Sequence, residues 1–335
     1  MDKAGIDGQV SAAWKEVRAF CERLERREAS IEDDPQPRLA SELFGFFLLQ
    51  KDSEGGRRAR TAAFLMWGNV GDTQAIDDAM ATLGDDSGDW AGILRAVANA
   101  YARSGRHDDY WRLLGGLEAR LSHPKSRSAV HAIQGDRALR AGRLTEARKH
   151  YEVVIEINAS RTEVVRAEGA LYEIEALQPG SVAPNFAATT IDGETIRLTH
   201  LHGRVVLLAF WSTSCGPCWA EFPYLRALHD EHPAQELYLV GVSGDSSEVR
   251  LREVMKQQRL SWPQIREPVT WQDDVPTFGV VTKLYNVWAI PRTILIDPQG
   301  FIVANNLRGE ELVAAVRDLT SAGGSGRPGE LPQSL

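Results

Sequence analysis

The chain has 335 residues, 43% hydrophobic and 25% charged, which is the composition of folded globular domains and excludes a disordered chain. At ~150 residues per domain the length predicts about two domains. Asp and Glu outnumber Lys and Arg, 46 to 38, for a net charge of −8. An acidic surface repels phosphate backbones, and the one local basic cluster, Arg57, Arg58 and Arg60, reads as a solvated face, so nucleic acid is not the expected partner.

No apolar run approaches the ~20 residues that span a bilayer; the longest is Leu43 to Leu49. The first residues, MDKAGIDGQV, carry no hydrophobic core of a signal peptide, so the expected location is cytoplasmic. Three cysteines, Cys21, Cys215 and Cys218, are too few for a disulfide framework.

The first part of the chain is rich in Ala, Leu, Arg and Glu. Gly71, Gly105 and Gly142 each follow one helix-length stretch and open another, recurring about every 35 residues. Apolar residues follow at matching offsets: Met80, Leu114 and Tyr151, then Leu83, Leu117 and Val154. A period of ~34 residues with glycine at the turn is that of tetratricopeptide-like helical hairpins. Cys21 falls in an amphipathic helix with Val17, Phe20 and Leu24 and is expected to be a small core residue without a role.

The texture changes at Gln178-Pro179-Gly180, where a helix stops and β-branched and aromatic runs begin. The expected division is a helical-hairpin domain over 1–177, an α/β domain over 178–320 and a disordered tail over 321–335. Phe186–Thr190 and Thr195–Leu198 flank Asp192-Gly193 and predict a hairpin. Val205 to Trp211 is a continuous apolar run, as in a strand buried on both faces. A helix then starts at Cys215-Gly216-Pro217-Cys218, with Phe222, Leu225 and Leu228 on one side. Leu237–Val242 predicts a strand, and Ser247–Arg259 a helix capped by Ser246 or Ser247. Glu267 to Gly279, with two prolines, reads as an irregular loop, a candidate for setting specificity. Thr293–Ile296 and Phe301–Val303 flank the type I turn residues Asp297, Pro298 and Gly300, a second hairpin, and a last helix covers Glu310–Leu319.

The cysteine pair carries the chemistry. A thiolate is the nucleophile of disulfide exchange, and Cys215 sits where a buried strand ends and a helix begins, so unpaired N–H groups and the helix dipole favour an anionic sulfur. Pro217 suits a first helical turn, where its missing N–H is no loss. Cys218, one turn inward, reaches back to the first sulfur, so Cys215 attacks a substrate disulfide and Cys218 resolves the mixed disulfide. The alternative, half of a zinc site, lacks a second cysteine pair, and His200, His202, His229 and His232 show no ligand spacing. No metal is expected.

The run Trp211-Ser212-Thr213-Ser214-Cys215-Gly216-Pro217-Cys218-Trp219-Ala220-Glu221-Phe222-Pro223-Tyr224 resembles the active site of TlpA/ResA-like thiol–disulfide oxidoreductases, in the thioredoxin-fold redoxin (AhpC/TSA-related) superfamily. Ala183-Pro184-Asn185-Phe186 and Ile290-Pro291-Arg292-Thr293 extend the resemblance over about residues 179–320. It implies a thioredoxin-like α/β fold and a cis Pro291 that, with Ile290, Gly216 and Pro217, meets the substrate backbone. It also implies a Glu221 that tunes the cysteines, a Trp211 that shields them and a Pro223 that bends the helix. Trp219 departs from the family's usual polar residue and offers an apolar surface to a substrate or to the helical domain. The implied activity is exchange with a protein disulfide, in the reducing direction that Gly216-Pro217 resembles. It needs no cofactor beyond the cysteine pair, and an upstream dithiol donor and a protein bound by the helical domain complete the expected partners. Most members of this family work outside the cytoplasm, the alternative location. A peroxidase is disfavoured, since Ser212 fits that branch's hydroxyl but Ala209 replaces its proline. A scaffold whose thioredoxin-like domain only docks is the remaining alternative, and such a module has no need of intact cysteines.

Overall fold

The computed structural model describes residues 3–26, 28–84, 90–272 and 275–321, so the expected tail lies outside the described residues apart from its first position. The chain forms two compact units, Met1–Val164 and Val165–Leu335. The sequence texture changes at 178, later than this division, because all but the first turn of the helix over 161–176 belongs to the α/β unit. Among the described residues no helix is long and apolar enough to cross a membrane.

The first unit is helical: α1 (Lys3–Glu25), α2 (Gln36–Leu49), α3 (Glu54–Val70), α4 (Thr73–Thr82), α5 (Trp90–Arg103), α6 (His107–Arg120), α7 (Pro124–Arg140) and α8 (Leu144–Ile157), with α9 (Arg161–Ala176) running on into the second unit. The three repeat glycines end α3, α5 and α7, and each has a left-handed backbone, φ 80°, 70° and 69°, that other residues adopt only with strain. Each therefore closes the turn of a hairpin, α3–α4, α5–α6 and α7–α8, while α3 packs on α5 and α5 on α7. All six matching apolar positions, from Met80 to Val154, are buried in these hairpins, so the period read from glycine spacing is the period of the packing.

Two expectations in this unit are corrected. Arg60 is fully buried, its guanidinium 5.1 Å from the Phe47 ring centroid, because it shares the inward stripe of α3 with Ala63, Phe64 and Trp67. Only Arg58 of the basic trio is exposed, and it pairs with Asp7 and Glu54. Cys21 is exposed rather than core. The buried stripe of α1 is Ile6, Ala13, Val17 and Phe20, and the residue after Phe20 is turned about 100° away from it.

The second unit is a thioredoxin-like α/β fold. A hairpin, β1 (Ala187–Thr189) and β2 (Thr195–Arg197), leads into β3 (Val205–Trp211), α10 (Gly216–Glu231), β4 (Leu237–Ser243), α11 (Glu248–Gln258) and β5 (Gln264–Arg266). A second small hairpin, β6 (Thr270–Gln272) and β7 (Val275–Thr277), precedes α12 (Val280–Leu284), β8 (Arg292–Ile296), β9 (Ile302–Asn305) and α13 (Gly309–Ser321). The central sheet has the order β5-β4-β3-β8-β9, parallel from β3 to β5 and antiparallel from β3 to β9.

All seven residues of β3 are buried because both faces of the sheet are covered. Leu207, Ala209 and Trp211 face a core with α10, α11 and α13, while Val206, Leu208 and Phe210 face a second core with β2, Tyr285 and Val287. Phe222, Leu225 and Leu228 anchor α10 as expected, and Ser247 is the cap of α11, accepting from the Arg250 N–H at 3.2 Å. The expected irregular loop over 267–279 instead contains β6 and β7. Prolines argue against strands, yet in a two-stranded ribbon every strand is an edge, and Pro276 sits opposite Trp271.

Candidate active site

Strand β3 and its parallel neighbour β4 end side by side, with Trp211 beside Ser243. The chain leaving β3 turns through Ser212–Ser214 into α10, and Cys215 is the cap of that helix. Cys215 and Cys218 are joined as a disulfide with Cα atoms 5.3 Å apart. The Cys218 N–H, in the first turn of the helix, is shared between the Cys215 carbonyl, 3.0 Å away, and Cys215 Sγ, 3.2 Å away. Cys218 is buried (1% exposed), whereas Cys215 is half-buried and Gly216 and Pro217 are exposed. One sulfur therefore faces the surface and the other is kept inside.

Asp245, just past the end of β4, fixes the turn before the cysteines. Its carboxylate accepts from the Thr213 N–H at 2.9 Å, the Thr213 hydroxyl at 2.6 Å and the buried Ser243 hydroxyl at 2.7 Å. Trp211 is buried, 4% exposed, with its ring edge-on to Phe222 at 5.1 Å. Its Nε1–H donates at 2.9 Å to Oε1 of Gln264, itself fully buried. Gln264 lies over β4 because position 241 is glycine; a Cβ there would overlap its amide. Trp219 is partly buried against Phe222 in the core of its own unit.

The Ile290–Pro291 peptide bond is cis. Ile290 is 38% exposed, and Pro291 directly precedes β8, the antiparallel neighbour of β3. A cavity of about 170 Å³ opens beside this segment, lined by Trp211, Ser212, Val269, Phe278, Trp288 and Ile290 among others. Trp271, in the β6–β7 hairpin, is 70% exposed. Glu267, which also lines the cavity, accepts from the N–H groups of Val281 (2.9 Å) and Thr282 (2.8 Å), capping the start of α12. Glu221 is half-buried, and its carboxylate accepts from the Gly309 N–H at the start of α13, 2.9 Å away. Among the described residues no cluster of three or more His, Cys, Asp or Glu is placed to hold a metal.

Of the residues singled out in the sequence, Cys215, Cys218, Gly216 and Pro217 lie together at the start of α10, with Trp219 and Glu221 further along it. Trp211 and Ile290 share the cavity wall, and Pro291 follows Ile290. Asp245, Gln264 and Glu267 were not singled out. One signal for Asp245 was available: it follows the carboxyl end of a parallel strand, where α/β sheets place their sites.

Residues 179–305 match the AhpC/TSA family. The chain is 33% identical over 129 residues to the thiol-disulfide oxidoreductase ResA of Bacillus subtilis (strain 168), covering 38% of this chain and 67% of that protein. It is 30% identical over 143 residues to ResA of Halalkalibacterium halodurans, covering 42% of this chain and 76% of that one. Among solved structures, the thioredoxin domain of a thiol-disulfide oxidoreductase from Bacteroides vulgatus is 31% identical, covering 43% of this chain and 99% of that one, with a TM-score of 0.38.

Proposed function

Because this chain belongs, through residues 179–305, to the ResA-like thiol–disulfide oxidoreductases of the AhpC/TSA-related redoxins, we infer that Cys215 and Cys218 are its redox centre and that it reduces disulfides in a protein substrate. The observation that carries this reading is the position of the pair: a half-exposed sulfur at a helix cap, bonded to a buried one a turn away, with the Cys218 N–H directed at it.

In the reduced protein that N–H and the start of a 16-residue helix stabilise a Cys215 thiolate; such an anion gains ~0.3–1 kcal/mol at an exposed helix start and up to ~2 when partly buried. The thiolate attacks one sulfur of the substrate disulfide, whose S–S bond breaks and whose other sulfur leaves as thiolate. Cys218, giving up its proton, then attacks Cys215 Sγ, breaks the mixed disulfide and releases the second substrate sulfur. Two electrons have passed to the substrate, whose leaving sulfurs take up the Cys218 proton and one from solvent, and the chain is left as the Cys215–Cys218 disulfide for an upstream dithiol donor to reduce. The electrons reside in the sulfurs, so this cycle calls on no other cofactor. Cis Pro291 and Ile290 present the substrate backbone, Gly216 and Pro217 leave the approach to Cys215 open, and the helical hairpins bind a further protein.

Glu221 is assigned the proton traffic of Cys218, one helical turn away, while its second oxygen holds α13. The test is trapping. Cys218→Ser should accumulate mixed disulfides through Cys215 that dithiothreitol releases, and the wild-type chain should reduce insulin with dithiothreitol as donor. Absence of both results overturns the assignment.

A further inference from the structure

The segment that carries cis Pro291 is gripped at both ends by one carboxylate. Glu173, in α9, is 8% exposed. Its Oε2 accepts from Asn286 Nδ2 at 2.9 Å, and its Oε1 accepts from Arg292 Nη2 at 2.5 Å. Asn286 passes the constraint inward, since its Oδ1 accepts from Trp288 Nε1 at 2.9 Å, and the Trp288 ring stands edge-on to Phe278 at 5.0 Å. Trp288 and Ile290 line the cavity beside the cysteine-bearing turn. Gly169, one turn before Glu173 on the same face of α9, leaves the space that Asn286 fills: a Cβ there would overlap Asn286 Oδ1. The family match starts at residue 179, so both Gly169 and Glu173 precede the matched residues although they fold with the α/β unit.

We propose that Glu173 is a positioning residue for substrate binding, fixing residues 286–292 so that the cis Pro291 segment receives a polypeptide in register with Cys215. This rests on the thiol–disulfide reading above and names what sets its preference: a disulfide embedded in extended polypeptide needs that segment for its backbone, whereas a small disulfide needs only Cys215. A buried carboxylate facing both an amide and a guanidinium holds its partners by charge-assisted hydrogen bonds. Replacing it by a neutral isostere leaves the partly buried Arg292 without its counter-charge and frees the segment to shift.

The test uses the full-length chain and two probes: insulin, a polypeptide disulfide, turned over with dithiothreitol as donor, and dithiobis(nitrobenzoate), a small aromatic one that dithiothreitol reduces directly and that is therefore mixed in a single turnover with pre-reduced, dithiothreitol-free protein. Glu173→Gln should raise KM for insulin about tenfold, the loss of one charge-assisted hydrogen bond, with kcat within about twofold and the small probe unaffected. Asn286→Gly, which suits the left-handed backbone there (φ 49°) and keeps the Glu173–Arg292 pair, should give a smaller rise of the same kind. If Glu173→Gln does not fold, Asn286→Gly decides alone. Unchanged insulin kinetics in the folded variants, or equal slowing with both probes, overturns the proposal. Wild-type inactivity toward both probes overturns the underlying function, and this proposal with it.

Discussion

Gly241→Ala tests the link between the sheet and the site. In β4 the added Cβ would overlap the amide of Gln264, a residue with no exposed surface. Either the amide moves, breaking its bond to Trp211 Nε1, or the sheet spreads locally. Overpacking of this kind costs about 1–3 kcal/mol, and leaving a buried indole N–H without its acceptor adds about 1–3 kcal/mol. The expected loss is therefore ~2–6 kcal/mol, a large share of the ~5–15 kcal/mol of a typical domain. Urea unfolding of the full chain, followed by circular dichroism, measures it. Gln264→Ala removes the obstruction, so the double variant should be less destabilised than the sum of the singles by more than ~1 kcal/mol. A loss below ~1 kcal/mol for Gly241→Ala, or strict additivity, would refute the steric argument.

Asp245→Ala strips the Thr213 amide and hydroxyl and the buried Ser243 hydroxyl of their acceptor, so the turn before Cys215 loosens; insulin reduction should fall about tenfold in kcat/KM, the equivalent of one to two such bonds, and a change under about twofold would exclude the role. In the helical unit, Leu114→Ala empties a fully buried hairpin position and should cost about 2–5 kcal/mol, read as a shift of the urea midpoint of that unit's transition. Burial holds His131 below the ordinary histidine value of 6.5, and His150, whose Nδ1 is 3.0 Å from its own, and Arg127 act the same way against an opposing Glu118. The unfolded chain then binds the extra proton, so this unit's stability should decline as pH falls from 6.5 toward the lowered value and hold steady above it; His131→Gln should flatten that slope in urea midpoints taken across the range.

What was legible in the sequence is local. Continuous apolar residues announced β3, Asp-Gly and Asp-Pro turns announced two hairpins, and three glycines announced the helical pairs whose interiors hold Leu114 and Tyr151. The cysteines declared themselves by spacing. Polar residues whose partners lie far along the chain left no such trace: Glu173 meets Arg292, Trp211 meets Gln264, and Thr213 meets Asp245 only after the sheet order brings them together. Arg60 and Cys21 were misread for a related reason, since composition and a neighbour's polarity do not fix which way a helix turns a single residue. Around the cysteines these non-local groups share one chemistry. Asp245 holds the turn before Cys215, Glu267 the start of α12, Glu173 both ends of the Pro291 segment and Glu221 the start of α13. A carboxylate suits the task because it accepts several N–H groups at once with charge-assisted strength, so one side chain can pin a loop that has no secondary structure of its own. Two sulfurs suffice to move electrons, but the polypeptide substrate proposed above must also be held against them, and an acidic residue under each of these loops would keep it in place.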